Sequence, residues 1–230
     1  MAAPNEVSAR TNSMSSDRRP NIIYIFTDQQ YARSISCTGN GDVHTPAMDS
    51  IARRGVRFDN AYCTFPLCTP SRGSMFTGQL PHELGITHNV MPLPEEGRQQ
   101  EMGWLFRNAG YETAYAGKWH LPKQLMDEGH GFEILCEMND TKATDRSIEF
   151  LKRDHDKPFL LATSYFQPHG CCPLHRFEDP RLSKSKTIGW PEDKYEQSFL
   201  DRCPELPENF AVSEPRPEVI TEHRNRYKTF

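Results

Sequence analysis

"EMGWLFRNAGYETAYAGKWHL", residues 101–121, carries the pattern that decides the fold. Its first half is apolar with polar interruptions and predicts a helix. Gly110 ends that helix, because glycine takes the left-handed closing conformation at no steric cost. "YETAYAG" follows as a short strand, and "KWHL" leaves it as a loop. The same order returns in "TDRSIEFLKRDHDKPFLLATSYFQPHG", residues 144–170. There an amphipathic helix, with Ile148 and Leu151 on one face, precedes a strand that ends in a loop at Gln167. Helix and strand alternating through short connections predict an α/β domain, a mostly parallel sheet flanked by helices.

Working outward, "NIIYIFTDQQ" (residues 21–30) gives a continuous apolar run from Ile22 to Phe26, the mark of a buried strand. "TPAMDSIARRG" (45–55) has Thr45 as N-cap, Pro46 at the first helical position and Gly55 as the stop, so it predicts a helix. "VRFDNAYC" (56–63) reads as a second, shorter strand, and "SRGSMFTG" (71–78) as a helical turn opened by Ser71 and closed by Gly78. Residues 1–19 are polar and aperiodic and read as a disordered lead. Residues 20–230 form the domain, irregular after about residue 182 where proline and charge dominate.

Composition narrows the function classes. Hydrophobic residues are 36% and charged residues 25% of the 230, and the net charge is -4. That balance gives no general attraction to nucleic acid or to an anionic membrane. No stretch reaches the roughly 18 apolar residues of a membrane span. "MAAPNEVSARTNSMSSDRRP" lacks an apolar secretory core, which makes a cytoplasmic location the default expectation. Seven cysteines, an odd number in a long chain, suit free thiols better than a disulfide framework.

In parallel α/β sheets ligands bind beyond the carboxyl ends of the strands. Three polar clusters follow predicted strands: Asp28-Gln29-Gln30, Lys118-Trp119-His120 and Gln167-Pro168-His169. A fourth, "CTPSR" from Cys68 to Arg72, lies on another segment leaving a strand. Four clusters on one rim would build one site.

Each cluster has a bland and a chemical reading. Cys37, Cys63, Cys136 and Cys203 read as small buried hydrophobes. Cys68 differs, because a helix start and the Arg72 guanidinium beside it would stabilise an anion, either a thiolate or a substrate oxyanion. Three residues separate Cys68 from Arg72, too few for the phosphate-cradling loop of cysteine phosphatases. Asp28 could simply cap the next segment, or serve a hard cation with Gln29 as a neutral donor. Lys118 and His120, two apart on an extended segment, would point the same way and grip an anion. His169 could donate a proton to a leaving group. "CCPLH" (171–175) suggests zinc, but adjacent cysteines do not give tetrahedral ligand spacing.

Taken together these residues resemble a family. "CTPSRGSMFTG" resembles the sulfatase signature, Cys-x-Pro-Ser-Arg followed by a Thr-Gly pair, with Phe76 where that pattern prefers leucine. "RPNIIYIFTDQQ", "HTPAMDSIARRGVRFDNAYC", "GYETAYAGKWHL" and "PFLLATSYFQPH" look like its other N-terminal landmarks, in order, from Arg19 to His169.

The resemblance implies an alkaline-phosphatase-like fold and a sulfuric ester hydrolase. It implies that a maturation enzyme oxidises Cys68 to formylglycine. The hydrate of that aldehyde would attack the sulfur of a sulfated small molecule or carbohydrate and later eliminate sulfate. Asp28, Gln29 and the converted Cys68 would ligate a divalent cation, Ca²⁺ or Mg²⁺. Arg72 would hold the formylglycine and Lys118 would bridge it to the sulfate. His120 would take the hydrate proton, and His169 would protonate the leaving oxygen.

Two departures qualify this. Many members have aspartate where Gln29 stands, and the family's other metal ligands come from an Asp-Asn or Asp-His pair in a later half. The chain therefore reads as the N-terminal part of a sulfatase. The alternatives are a phosphonate or phosphate-diester hydrolase of the same superfamily, or a non-catalytic truncated homologue that binds an anion or a partner.

Overall fold

The sheet of this protein is built where the sequence alternates between turn residues and short apolar runs. A computed structural model describes residues 19–89, 91–94, 100–121 and 130–171. The expected lead (apart from Arg19), the stretch after 182, Cys203 and the side chains of "CCPLH" lie outside the described residues. The chain divides into two units. One holds the described residues up to Asp28 and those from Asn60 to Gln167, and the other holds Gln29–Asp59 and those from Pro168 on.

The first unit contains a four-stranded sheet of β1 (Ile22–Asp28), β2 (Glu112–Gly117), β3 (Glu133–Cys136) and β4 (Phe159–Pro168), in the order β1-β4-β2-β3. β2 runs parallel to both β3 and β4. Its register with β4 is uninterrupted from Glu112 opposite Phe159 to Gly117 opposite Ser164, so the two strands begin level and β4 runs on past the end of β2 to Pro168.

The chain numbers its helices α1 (Pro46–Arg54), α2 (Cys68–Thr77), α3 (Met102–Asn108) and α4 (Asp140–Leu151). Side chains alternate across a strand, and β2 shows the consequence. Tyr115 joins Phe76 of α2, Ile86, Trp119 and Ala162 in one apolar cluster. Ala114 joins Phe150 of α4, Phe159 and Leu161 in another. Helices thus cover both faces of the parallel sheet. Phe150 and Phe159 meet edge to face with centroids 5.4 Å apart. Burying each ring contributes about 1.5–3 kcal/mol.

Several boundaries differ from the sequence reading. β3 was not expected; it is only four residues long and pairs through β2 alone. α4 forms as expected, with Asn139 as N-cap accepting from the Lys142 amide at 2.9 Å. However, it buries Ala143, Ser147 and Phe150, while Ile148 and Leu151 are 44% and 39% exposed. Phe150 displaces them because its ring has the aromatic partners. "VRFDNAYC" is not a strand: Val56, Phe58 and Tyr62 are 79%, 78% and 87% exposed, and a period-two pattern without a hydrogen-bonded neighbour forms no ladder. Cys63, expected inside, is exposed for the same reason, while Cys37 and Cys136 are half-buried.

In the second unit, α1 starts at Pro46 as expected. Thr45 does not cap it through its side chain in the usual way. Instead Asp49, in the first turn, accepts from Ser36 Oγ (2.8 Å), the Cys37 amide (3.0 Å) and Thr45 Oγ1 (3.2 Å). These bonds hold the Asp49 carboxyl below its ordinary value, the Ser36 hydroxyl contributing most.

Candidate active site

α2 begins at Cys68, three residues before the Ser71 start expected from sequence. Leu67 precedes it in extended conformation with no capping side chain. Pro70 has no amide to leave unsatisfied. The Thr69 amide donates to Asn89 Oδ1 at 3.0 Å, so Asn89 does the capping that Leu67 cannot. Thr69 Oγ1 donates to the His120 carbonyl at 2.9 Å and ties the helix start to the loop after β2. Gly78 closes α2 at φ 75°, as the sequence implied.

Asp28 is the last residue of β1, and Lys118 follows the last residue of β2. The Lys118 amide donates to the Ser164 carbonyl at 3.0 Å, which extends the β2–β4 ladder to the rim. These strand ends and the start of α2 bring Asp28, Cys68, Arg72 and Lys118 together. Lys118 Nζ forms an ion pair with Asp28 Oδ2 and lies 3.7 Å from Cys68 Sγ. Cys68 Sγ is 3.8 Å from both Asp28 oxygens. Arg72 Nη2 donates to Asp28 Oδ2 at 3.2 Å.

Asp28, Arg72 and Lys118 are 8%, 3% and 3% exposed. Among the described residues, one buried carboxylate thus faces two buried cations, and the cluster carries excess positive charge. Ion pairs removed from water hold their charge only when fully partnered, so this group favours a further anion. The expected thiolate is not that anion. Burial first, and then the Asp28 carboxylate, push the Cys68 thiol above its ordinary value of 9.0, against the smaller pull of Lys118 and Arg72. Burial and the Asp28 carboxylate thus work against the thiolate, and an external anion is the partner the cations suit.

Arg72 acts as a brace. Its Nη1 donates to the carbonyls of Lys118 (2.5 Å) and Trp119 (3.2 Å) and to Ser164 Oγ (3.0 Å). Its guanidinium lies over the Phe26 ring, 5.3 Å from the centroid. Lys118 and His120 do not share an extended segment: His120 has φ 54°, a left-handed conformation uncommon outside glycine. Lys118 is buried and His120 exposed.

Gln29, exposed and next after Asp28, also has a positive φ, 63°. His169 opens a short 3₁₀ turn directly after Pro168 at the end of β4. Gln29 and His169 belong to the second unit. Sequence reading missed Thr69, Asn89, Tyr115 and Ser164. Ser164 had a legible signal, a hydroxyl inside the apolar run "FLLATSYF". Asn89 and Tyr115 had none.

Comparison with known proteins identifies the family and the fold. The family model described as Sulfatase matches residues 20–228. An N-acetylglucosamine-6-O-sulfatase of Bacteroides thetaiotaomicron is 32% identical over 200 residues, covering 74% of this chain and 34% of that protein. A solved structure in complex with its substrate D-glucosamine-2-N,6-O-disulfate is 34% identical with a TM-score of 0.57, over 66% of this chain and 35% of the other. A solved 2-O glycosaminoglycan sulfatase is 26% identical with a TM-score of 0.64, over 83% and 42%. The chain spans about a third to two fifths of the length of these relatives. A match over nearly the whole chain, on a parallel sheet with the signature cysteine at its rim, places this chain in the sulfatase family.

Proposed function

We propose that this chain is the N-terminal part of a sulfuric ester hydrolase that acts on a sulfated carbohydrate through formylglycine at position 68. The supporting observation is the placement of Cys68 at the start of α2, beside Lys118 and Asp28, in a buried cluster with excess positive charge. Relatives named for sulfated sugars suggest the substrate class. When formed, formylglycine supplies, as its hydrate, a nucleophilic oxygen toward sulfur and a second hydroxyl for releasing sulfate.

The residues of the chain do the rest. Lys118, held over the residue 68 side chain, neutralises charge on the sulfuryl oxygens as it develops. Arg72 holds the loop after β2 and keeps Asp28 in place. His120 accepts the proton from residue 68 when sulfate leaves, and His169 donates one to the departing alcohol oxygen.

A hard cation, Ca²⁺ or Mg²⁺, fits the chemistry of this donor set in kind. Asp28 offers a buried carboxylate, position 68 becomes an oxygen donor on conversion, and Gln29 adds an amide oxygen. Such an ion would supply further positive charge to the sulfuryl group. It takes about 6–8 oxygens when it is Ca²⁺, so the fit is partial and other ligands complete the shell.

The test is conversion itself. Co-expressed with a formylglycine-generating enzyme, the chain is expected to carry an aldehyde at Cys68 and at no other cysteine. Peptide mass spectrometry and hydrazide labelling read this directly. A Cys68 that stays a thiol under conditions that convert a control sulfatase removes the nucleophile, and the proposal with it.

A further inference from the structure

Lys118 follows a strand end, where its amide still joins the sheet through the Ser164 carbonyl but its own carbonyl does not. Gly117 has φ 101°, and a Cβ there would sit 2.0 Å from the Ser164 carbonyl oxygen, so the chain leaves β2 through a turn that only glycine can make. The side chain of Lys118 then depends on whatever fixes its own peptide. Two groups hold its carbonyl. One is Arg72 Nη1 at 2.5 Å, and the other is the hydroxyl of Tyr115, which donates at 2.6 Å.

Tyr115 is fully buried, and its ring is locked by Trp119, edge to face at 5.0 Å, and by Phe132 at 5.7 Å and Phe76 at 6.0 Å. A ring so fixed places its oxygen with little freedom. Burial also pushes the phenol up to about 12, so it remains a donor across the ordinary pH range.

We propose that Tyr115 is a positioning residue for Lys118: its hydroxyl fixes the Lys118 peptide and so aims the ammonium at Asp28 and Cys68. The bond spans three residues and reaches past Gly117 to the first residue of the rim. Apolar packing alone would be met by phenylalanine, whereas the hydroxyl donates to the Lys118 carbonyl. Without it the Lys118 carbonyl is left to Arg72, the peptide after Lys118 is held less firmly, and the ammonium spends less time at the thiol. The importance of Lys118 for turnover rests on the function proposed above, but its placement beside Cys68 can be tested without turnover.

The probe is o-phthalaldehyde, which condenses with one amine and one nearby thiol, with loss of water, to a fluorescent isoindole. Applied to the unconverted chain, it is expected to join residues 68 and 118, whose reacting atoms are 3.7 Å apart. Cys68→Ser and Lys118→Met provide the blanks. Tyr115→Phe is expected to lower the yield about fivefold, the population effect of one net hydrogen bond. Thr113→Val, which removes the other buried β2 hydroxyl and its 2.5 Å bond to the Gly131 carbonyl, is expected to leave the yield unchanged. Thermal melting checks that each variant folds. If Tyr115→Phe does not melt cooperatively, Tyr115→Leu serves as the second hydroxyl-free variant.

The proposal is overturned if the folded hydroxyl-free variant stays within about twofold of wild type, or if Thr113→Val loses as much. It is also overturned if the wild-type chain gives no Cys68-dependent isoindole. Failure of Cys68 conversion in the separate maturation experiment would count against the sulfatase reading and leave this result intact.

Discussion

Gly117 shows how far one residue constrains the rim. Any side chain there meets the Ser164 carbonyl oxygen and must also adopt φ 101°. Gly117→Ala is therefore expected to cost more than about 3 kcal/mol, from strain and overpacking together, read as a shift of the urea midpoint. A loss below about 1 kcal/mol would mean β2 and β4 separate easily at that point. The two histidines make a different residue-scale prediction. Under the proposed roles, His169→Ala in an active sulfatase containing this segment slows cleavage most for poor leaving groups, because they need the proton most. The plot of log kcat/KM against leaving-group pKa steepens. His120→Ala instead allows a burst of alcohol while sulfate is retained. Parallel leaving-group plots for wild type and His169→Ala would remove the acid role.

At the scale of the element, α1 shows a helix start held by an aspartate inside the first turn instead of by its N-cap. Asp49 is ionised when it accepts from Ser36, Cys37 and Thr45, and these bonds hold its carboxyl below 3.8, the ordinary value. A depressed carboxyl contributes stability that is fully present above the unfolded value and is lost as pH falls through the folded one. Asp49→Asn should therefore melt below wild type at neutral pH, and the gap should close as pH drops below 3.8. A gap that persists at acid pH would assign the effect to amide geometry and not to charge. Elements of this kind were only partly legible in the sequence. Pro46, Gly78 and Gly110 marked helix ends because backbone geometry is local. The Cys68 start of α2 was not legible, since its cap comes from Asn89, twenty-one residues away along the chain, and no spacing rule records that bond. The buried face of α4 was misread because hydropathy cannot tell which of Phe150 and Ile148 finds an aromatic partner. The meeting of Asp28, Cys68 and Lys118 was legible because each stands at a strand end or a helix start. The brace of Arg72 on the Lys118 carbonyl, which joins residues 46 apart, was not.

For the molecule as a whole, two facts bear on what the chain does by itself. It spans about a third of the length of the relative named for N-acetylglucosamine-6-O-sulfatase activity. It also leaves large apolar side chains in water: Ile23 and Ile25 on β1, the end strand of the described sheet, are 49% and 55% exposed, and Val56, Phe58 and Tyr62 of the misread strand are exposed as well. Exposed apolar faces and an open strand edge favour association. The purified chain is thus expected to bind a hydrophobic dye and to aggregate with rising concentration, and Ile25→Thr with Phe58→Ser should reduce both. Catalysis by the chain alone faces a second obstacle. The proposed metal donors are Asp28, converted residue 68 and Gln29, against about 6–8 oxygens for Ca²⁺. Water would occupy the remaining positions without bringing negative charge, so an ion held by these three donors would be bound weakly and would meet the developing charge on sulfur poorly. The expected result is little or no turnover of a chromogenic aryl sulfate by the Cys68-converted chain, with Ca²⁺ or Mg²⁺ added. Turnover of roughly 1 per second or more, abolished by Cys68→Ala, would overturn this, because the chain would then be completing its metal shell from its own remaining residues or from a second copy. A dilution series separates those two sources: specific activity that falls with concentration belongs to an assembly, and activity that does not belongs to the single chain.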